Sequence, residues 1–572
     1  MTATTPPPTT TPPPTTTLPP SRRPAIGLFN FWNGVFALCL AVIAVLLIAP
    51  LSEVFVVGFV DPETQGFTLG NYVRVLTHPY YVGALGNTVL VGVGGMIGAC
   101  LVGVPLAYFV ARYRVTGRSV ISTLAVLALV SPPFIGAYSW ILVLGNNGWV
   151  TKALREFGIA MPSIYGTPGI ILVFTLKFFP FVYLMTESAL RSINRSFEEA
   201  AANLGCGPLA RFFRVTLPLV FPAVSSGAIL AFVLSIADFG TPAIIGRNFR
   251  TLSTIAYNQY TAEMGGTPSI AVAISVVMIV ISMAAVLLQR YFLSKRRYAG
   301  ALTNLTEQKD LTGPFGALVH VFCYLVVVLA ALPMIVVFYT SVLATNGPVF
   351  TGAFGLSSYR RVWNELPNVV GNSFSFALAA VVLITITSAF ISYIVVRRET
   401  WLSGLLDSLL MVPYVVPGVV MAIGFALTFN KPPVDLIGTA AIIVMVVFIR
   451  RLPYGVRSTS SILRQIKPSI EEAAVNLGAP PALAFLKVTV PIMIPGIVVG
   501  AMMSFITAIN ELSSTLLLYT GATATMPIKI YSAVLDGEFG LAAALSTILL
   551  VSSGICVFIV FRLSESREGA FV

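Results

Sequence analysis

Two pairs of ionisable residues inside the apolar stretches of this chain lie 273 residues apart. Asp238 pairs with Glu511 in this way, and Lys177 pairs with Arg450. A charge inside a membrane-spanning stretch is costly, and it usually faces the interior of a helix bundle or an aqueous path. We therefore predict that the two carboxylates line a translocation route near an axis relating two halves of the molecule. The alternative is a purely structural hydrogen bond or ion pair.

The two cations allow three interpretations. Lys177 and Arg450 each lie three residues before a proline, at Pro180 and Pro453. They neutralise the two carboxylates, or they lie nearer the membrane surface and help to meet a partner protein, or they take part in gating or contact an anion.

A polar, helix-forming segment is repeated at the same offset. The first copy, 198–222, reads EEAAANLGCGPLARFFRVTLPLVFP, and the second, 471–495, reads EEAAVNLGAPPALAFLKVTVPIMIP. Thirteen of 25 positions are identical. Because a repeat that keeps paired glutamates, a glycine and several prolines is more than shared hydrophobicity, it indicates two homologous halves.

Each copy has the residues of a helix–turn–helix at a membrane surface. A serine is predicted as the N-cap, a glycine as the C′ residue, and a proline as the start of a second short helix. These residues are Ser196, Gly205 and Pro208 in the first copy and Ser469, Gly478 and Pro481 in the second. Such a device either docks into a groove on another protein or is merely an amphipathic surface helix.

The composition is that of a membrane protein. Of the 572 residues, 56% are hydrophobic and 10% are charged, against about 25% charged in soluble proteins. The continuous apolar runs predict an all-α integral membrane protein with about twelve transmembrane helices. The predicted spans are 31–59, 83–111, 119–145, 166–188, 218–245 and 269–293 in the first half, and 315–343, 371–396, 405–429, 437–457, 491–519 and 537–562 in the second.

The spans divide the chain into two six-helix halves. Because six is an even number, the halves are parallel and are related by an axis along the membrane normal. The predicted units are a disordered Pro/Thr-rich tail (1–30), the first half (31–293, with its loop at 189–217), a linker (294–314), the second half (315–563, with its loop at 462–490) and a second tail (564–572).

The distribution of basic residues predicts the orientation. Most of the 34 Lys and Arg residues, including Arg112, Arg114 and Arg118, fall on one side if both termini are cytoplasmic. The net charge of +12 therefore indicates cytoplasmic loops and not a nucleic-acid partner. Both repeated loops are then cytoplasmic.

In both copies the pattern EAA, then Gly, then Pro resembles the EAA loop of binding-protein-dependent ABC importer permeases. The resemblance implies a fold like that of the type I importers, in which these loops dock into two cytoplasmic ATPase subunits. Carried over residue by residue, the docking positions are Glu198, Glu199, Ala200 and Gly205 in the first copy and Glu471, Glu472, Ala473 and Gly478 in the second.

The resemblance also implies partners. They are two copies of a cytoplasmic ABC ATPase, an extracytoplasmic substrate-binding protein and the lipid of a bacterial inner membrane. The sequence has no G-x-x-x-x-G-K-[ST] motif, so ATP and Mg²⁺ are expected on the ATPase and no cofactor on this chain. We also expect no metal site, since the five cysteines are scattered and only two histidines occur.

The substrate is predicted by closer resemblance. The chain is most similar to fused permeases of the ferric-iron group, in the segments ADFGTPAIIG (237–246), ELSSTLLLYTGATATMPIKIYSAV (511–534) and EFGLAAALSTILL (538–550). Permeases for phosphonates or sugar phosphates, polyamines and thiamine share much of this pattern and stay open as alternatives. An ion-coupled secondary transporter with Asp238 and Glu511 as proton sites is a more remote one.

Overall fold

A computed structural model of the chain describes residues 31–61, 63–193, 196–262, 266–294, 308, 310–432 and 434–568. The predicted N-terminal tail, most of the predicted linker and residues 569–572 of the predicted C-terminal tail lie outside the described residues.

The apolar runs of the first half form helices, because a helix satisfies its own backbone hydrogen bonds inside a membrane. The helices are α1 (Phe31–Ile43), α2 (Ala49–Gly58), α3 (Gly70–Thr77), α4 (Pro79–Arg112), α5 (Arg118–Val130), α6 (Pro133–Leu144), α7 (Trp149–Glu156), α8 (Thr167–Ser192), α9 (Ser196–Asn203), α10 (Pro208–Arg211), α11 (Leu217–Ala237), α12 (Gly240–Ile245), α13 (Leu252–Thr261) and α14 (Pro268–Ser294). Turns of π-helix at Ala44–Ile48 and Phe212–Thr216 join α1 to α2 and α10 to α11.

The second half repeats this order and adds two small antiparallel hairpins. Its elements are α15 (Gly313–Ser341), β1 (Leu343–Asn346), β2 (Val349–Phe354), α16 (Ser357–Glu365), α17 (Pro367–Arg397), α18 (Trp401–Leu409), α19 (Val412–Val415), α20 (Gly418–Thr428), β3 (Asn430–Lys431), β4 (Val434–Asp435), α21 (Ala440–Gln465), α22 (Ser469–Asn476), α23 (Pro481–Ala484), α24 (Val490–Ile509), α25 (Met526–Leu535) and α26 (Phe539–Glu568). A π-helical turn at Phe485–Thr489 again joins α23 to α24.

The predicted spans appear in three forms. Within the described ranges, nine helices are long and apolar enough to cross a membrane. Two more spans are broken pairs, bent by 103° between Arg118–Val130 and Pro133–Glu156 and by 110° between Trp401–Val415 and Gly418–Thr428. The twelfth predicted span is α21, which is not among these eleven because its apolar stretch carries three arginines, Arg450, Arg451 and Arg457. It begins and ends 273 residues after α8, so it completes the second set of six.

The fifth span of each half differs from its prediction at both ends. Predicted as 218–245, it runs from Pro208 to Ala237, because the proposed second surface helix continues through the π-turn into the membrane. The span ends where Asp238 leaves the helix with extended backbone angles. The counterpart predicted as 491–519 runs from Pro481 to Ile509, where Asn510 leaves the helix.

The two halves keep equivalent contacts. The side-chain amide of Asn87 donates to the carbonyl of Arg250 at 3.0 Å, and that of Asn372 donates to the carbonyl of Ala524 at 3.1 Å. The offset is 285 residues between Asn87 and Asn372 but 273 between α8 and α21. The first half therefore holds twelve more residues between these points, and α7 lies among them.

The first span of each half packs on the other half. The Trp32 ring stacks on Tyr393 of α17 at 4.1 Å between centroids. In the reverse direction, the Tyr324 hydroxyl of α15 donates to the carbonyl of Thr116 at 2.7 Å, and the Thr116 amide donates to Nε2 of His320 at 3.2 Å. One continuous core of buried apolar residues runs through both halves.

Candidate functional site

The repeated loops have the same backbone. Gly205 ends α9 at φ +83° and Gly478 ends α22 at φ +94°. The Cys206 amide donates back to the carbonyl of Ala201 at 3.0 Å, the 6→1 bond of a Schellman motif. Because a Cβ added at either glycine would meet no atom within 4 Å, the backbone angle and not crowding requires glycine at both predicted C′ positions.

The serines predicted as N-caps are helical residues in both loops, since α9 begins at Ser196 and α22 at Ser469. Pro468 is the N-cap of α22, and Ser469 is the first helical residue. The proline ring fixes a helical φ at this point. Because its side chain has no hydrogen-bond acceptor, the helix begins without a side-chain cap.

The first glutamate of each predicted pair faces the protein. Glu198 is 7% exposed, and its carboxylate forms an ion pair with Arg112 at 2.9 Å and accepts a hydrogen bond from the Thr216 hydroxyl at 3.0 Å. In the second loop Glu471 accepts from Thr489 at 3.1 Å and from the Tyr393 hydroxyl. Each glutamate therefore ties its loop to the second span and to the start of the fifth.

These partners were not predicted from the sequence. The identical threonine in VTLP and VTVP carried a signal, since it recurs at the repeat offset. Arg112 and Tyr393 also recur, as Arg397 and Tyr108 at the offset of the second spans, but a different one of the two residue types holds the glutamate in each half. The counterpart of Arg112 is Arg397, which donates instead to the carbonyl of Ile466 at 2.6 Å.

The second glutamate and the alanine after it face outward. Glu199 and Ala200 are exposed on α9, as are Glu472 and Ala473 on α22. The most exposed apolar side chains of the two loops are Leu204, 85% exposed, and Leu477, 90% exposed. They precede the two glycines and form equivalent tips that the prediction does not include. Each loop thus presents an apolar tip beside an exposed carboxylate.

In the first half, the predicted intramembrane cation binds backbone and not a carboxylate. Lys177 Nζ donates to the carbonyl of Ala128 at 2.9 Å and to the carbonyls of Leu129 and Ser131. These carbonyls lack helical partners because the span breaks there. Asp238 accepts a hydrogen bond from the Thr241 amide at 2.8 Å.

In the second half, the equivalent cation does pair with the equivalent carboxylate. Glu511 is buried and accepts from Arg450 Nη1, from Arg451 Nη2 and, at 3.1 Å, from the Ser514 amide. Arg450 also donates to the Ser514 hydroxyl at 3.2 Å. Arg451 is not among the predicted pathway residues. The four predicted pathway residues thus form two unlike polar groups.

The two polar groups meet at the interface between the halves. Asn510, next to Glu511, donates to the carbonyl of Val130 at 3.5 Å. Val130 lies among the carbonyls that bind Lys177. A polar chain therefore runs from α8 through the broken third span to the end of α24.

Comparison with known proteins gives two matches to one family. Residues 103–298 and 385–569 each match the family described as binding-protein-dependent transport system inner membrane component. The ferric transport system permease protein FbpB of Actinobacillus pleuropneumoniae is 27% identical over 542 residues, 91% of this chain and 77% of that protein. The molybdenum transport system permease protein ModB of Mycobacterium bovis is 32% identical over 219 residues, 37% of this chain and 80% of that protein.

Among solved structures, the chain is similar to a bacterial ABC transporter involved in the import of the acidic polysaccharide alginate. The match covers 47% of this chain and 98% of the matched chain, with 19% sequence identity and a TM-score of 0.33.

Proposed function

Because the chain belongs to the family of binding-protein-dependent transport system inner membrane components, we propose that it forms the membrane pathway of an ATP-driven importer of ferric iron. An extracytoplasmic binding protein delivers the cargo, and two copies of a cytoplasmic ABC ATPase supply the energy. The chain is a transporter permease, and ATP with Mg²⁺ is bound by the ATPase partner.

The observation that carries this proposal is the pair of equivalent loops with exposed apolar tips. Leu204 and Leu477 contribute little to the fold, since both are almost fully exposed. An exposed leucine beside a carboxylate fits an apolar groove with a polar rim on a partner. Two copies of one ATPase therefore find two matching sites on this chain.

The inward glutamates give each loop a route to the membrane helices. When an ATPase displaces α9, Glu198 transmits the displacement to Arg112 at the end of α4 and to Thr216 at the start of the fifth span. Glu471 does the same through Tyr393 and Thr489. The fifth spans lead to Asp238 and Glu511, so the loops are mechanically continuous with the polar groups at the centre.

Ferric iron is supported by the FbpB relative, whose match extends over 91% of this chain. The segments around Asp238 and Glu511 are those on which the sequence resembles ferric-iron permeases. The chain is multi-pass in a bacterial inner membrane, and we place both termini in the cytoplasm because that orientation puts most Lys and Arg residues inside.

Substitutions at the two apolar tips, Leu204 and Leu477, test whether the loops couple this chain to the ATPase. Leu204→Asp and Leu477→Asp put a charge into the apolar contact, so each variant is expected to lose ATPase co-purification and transport. Leu356→Asp, at an exposed leucine of the opposite end, is the matched control. Full ATPase recovery with both tip variants would remove the loops from the coupling site.

The substrate part is tested by uptake of radiolabelled Fe³⁺ in cells with the chromosomal copy deleted and then restored. Restoration is expected to return uptake, and an ATPase-inactive partner to abolish it. Unchanged uptake in the deletion strain would rule out iron as the main cargo. Transport by the chain alone under a pH gradient would favour the ion-coupled alternative.

A further inference from the structure

The equivalent helices α8 and α21 have unlike faces from the polar centre to the end of the span. Three positions on α21, spaced three residues apart, are cationic or hydroxylated, and their counterparts on α8 are apolar. The α21 residues are Arg451, Tyr454 and Arg457, and the α8 residues are Phe178, Phe181 and Leu184. A difference at three successive positions of one helix side points to chemistry that only the second half performs.

The α21 residues form one group with their neighbours. The Arg451 guanidinium lies 6.0 Å from the centre of the Tyr454 ring, and that ring packs on Tyr414 at 5.1 Å. Tyr414 lies within electrostatic reach of Arg451 and Arg457. Arg457 forms an ion pair with Asp407 of α18 at 3.0 Å. We call Arg450, Arg451, Arg457, Tyr414 and Tyr454 the second-half cation cluster.

The cluster carries more positive charge than its own carboxylates balance. Three guanidiniums, of Arg450, Arg451 and Arg457, face two carboxylates, of Glu511 and Asp407. The Nε atoms of Arg450 and Arg451 are buried and have no acceptor in the part of the chain that the structure describes. The cluster therefore has unused positive charge and unused donors.

The cluster also reaches the aqueous phase at the end of the span. The Arg457 side chain is 41% exposed, and Arg457 is the last residue of the predicted span 437–457. A guanidinium facing hydrocarbon is disfavoured, so an exposed arginine at this position borders water or a partner charge. The side of α21 that runs from the polar centre to this water is cationic and hydroxylated, whereas the equivalent side of α8 is apolar.

We propose that the second-half cation cluster contacts anionic oxygen atoms of the cargo during its passage. Guanidinium groups bind carboxylate and phosphate oxygens through charge-assisted, often bidentate hydrogen bonds. Ferric iron then crosses as a complex with oxyanion ligands and not as a bare cation. The identity of the metal rests on the proposed function, whereas the anion contact does not.

The test variant keeps an ion pair between positions 457 and 407 but exchanges the two charges. In the double variant Arg457→Asp/Asp407→Arg, the pair is retained while the guanidinium moves from α21 to α18. A purely structural pair survives this exchange, but an anion contact on α21 does not. The matched control is the exchange Glu53→Lys/Lys431→Glu at another ion pair, 3.6 Å apart at the opposite end.

The measurement is equilibrium binding of radiolabelled citrate, alone and with Fe³⁺, to the full-length chain in lipid nanodiscs. Loss of one charge-assisted hydrogen bond is expected to weaken binding about tenfold in the Arg457/Asp407 exchange, and the control exchange is expected to bind as the natural chain does. Absence of saturable citrate binding, or equal binding in both exchanges, would overturn the proposal. If the exchange fails to assemble, the double variant Arg457→Gln/Asp407→Asn, which removes both charges and so leaves no unpaired carboxylate, takes its place.

Iron uptake in cells separates this inference from the proposed function. Citrate binding that depends on Arg457, in a chain whose deletion leaves iron uptake unchanged, keeps the anion contact and removes iron as the cargo. Restored iron uptake, together with citrate binding that is unchanged in the Arg457/Asp407 exchange, keeps iron as the cargo and removes the anion contact.

Discussion

Glu198 and Glu471 occupy equivalent positions but are held by different chemistry. Glu198 is held by the charge of Arg112, whereas Glu471 is held by the neutral hydroxyl of Tyr393. A buried ion pair is strongly destabilised when one partner is removed, because the other charge stays buried. The two loops should therefore respond unequally to loss of their tethers.

We predict that Arg112→Ala lowers the free energy of unfolding by about 3 to 5 kcal/mol, whereas Tyr393→Phe lowers it by about 1 kcal/mol. Thermal unfolding in detergent measures both changes. Arg114→Ala, which removes an exposed ion pair with Asp310, is the control and should change stability by at most about 0.5 kcal/mol. Equal losses for Arg112→Ala and Tyr393→Phe would contradict the unequal tethers.

We predict that Gly205→Ala and Gly478→Ala each cost about 1 to 2 kcal/mol, since both positions require a positive φ. Because no neighbouring atom crowds either site, the two costs should be similar, as unfolding in detergent would measure. Gly207→Ala is the control, since Gly207 has φ −63° and equally open surroundings. A Gly207→Ala loss as large as the other two would exclude backbone strain as the cause.

At this scale the sequence was sufficient for residues whose role is local. The two C′ glycines follow from a helix end and a left-handed turn within a few residues. The partners of Glu198 and Glu471 were out of reach, because they lie 86 and 78 residues away. The repeat offset does not reveal them, because an arginine and a tyrosine recur in both halves but a different one of the two holds the glutamate in each.

At the scale of elements, the breaks in the third spans depend on side chains from other helices. Proline removes a backbone donor and stops the helix, which leaves the carbonyls at 128–131 without helical partners. Lys177 of α8 binds three of them. The break is thus maintained by a helix that is far from it in sequence.

We predict that Lys177→Met destabilises the chain by about 3 kcal/mol, because buried carbonyls lose their donor. The loss should appear as earlier thermal unfolding in detergent. Lys152→Met, at an exposed lysine of α7, should leave unfolding unchanged. Retained stability in Lys177→Met would mean that the carbonyls have other donors.

Hydropathy was enough to locate the spans. Hydropathy was not enough for the ends of the fifth spans, where Asp238 and Asn510 leave the helix earlier than the apolar run ends. The hairpins and α7 were also not predicted, because short connecting segments have weak periodicity.

At the scale of the whole molecule, the halves are held together by exchanged first spans. Trp32 is fully buried against Tyr393 and Phe485 of the second half. The equivalent contact in the other direction is made by α15 on the segment around Thr116. The chain therefore behaves as one unit although its sequence is a tandem repeat.

We predict that the chain, divided between residues 300 and 301 and produced as two polypeptides, still assembles into one complex. Co-purification through a tag on one fragment measures this. Trp32→Ala should weaken the assembly, since loss of a buried tryptophan costs about 3 to 5 kcal/mol. Trp363→Ala, at an exposed tryptophan of α16, should not. If the fragments assembled equally well with Trp32→Ala, the first span would not hold the two halves together through Trp32.

The twelve additional residues of the first half, with α7 among them, make the two halves distinguishable to a docking partner. A surface with perfect two-fold symmetry offers a single-copy partner two indistinguishable ways to bind, half a turn apart. At the end opposite the loops, α7 lies in one half and the β3–β4 hairpin lies in the other. A protein that docks at this end therefore binds in one defined orientation, and each half always contacts the same side of the docked protein.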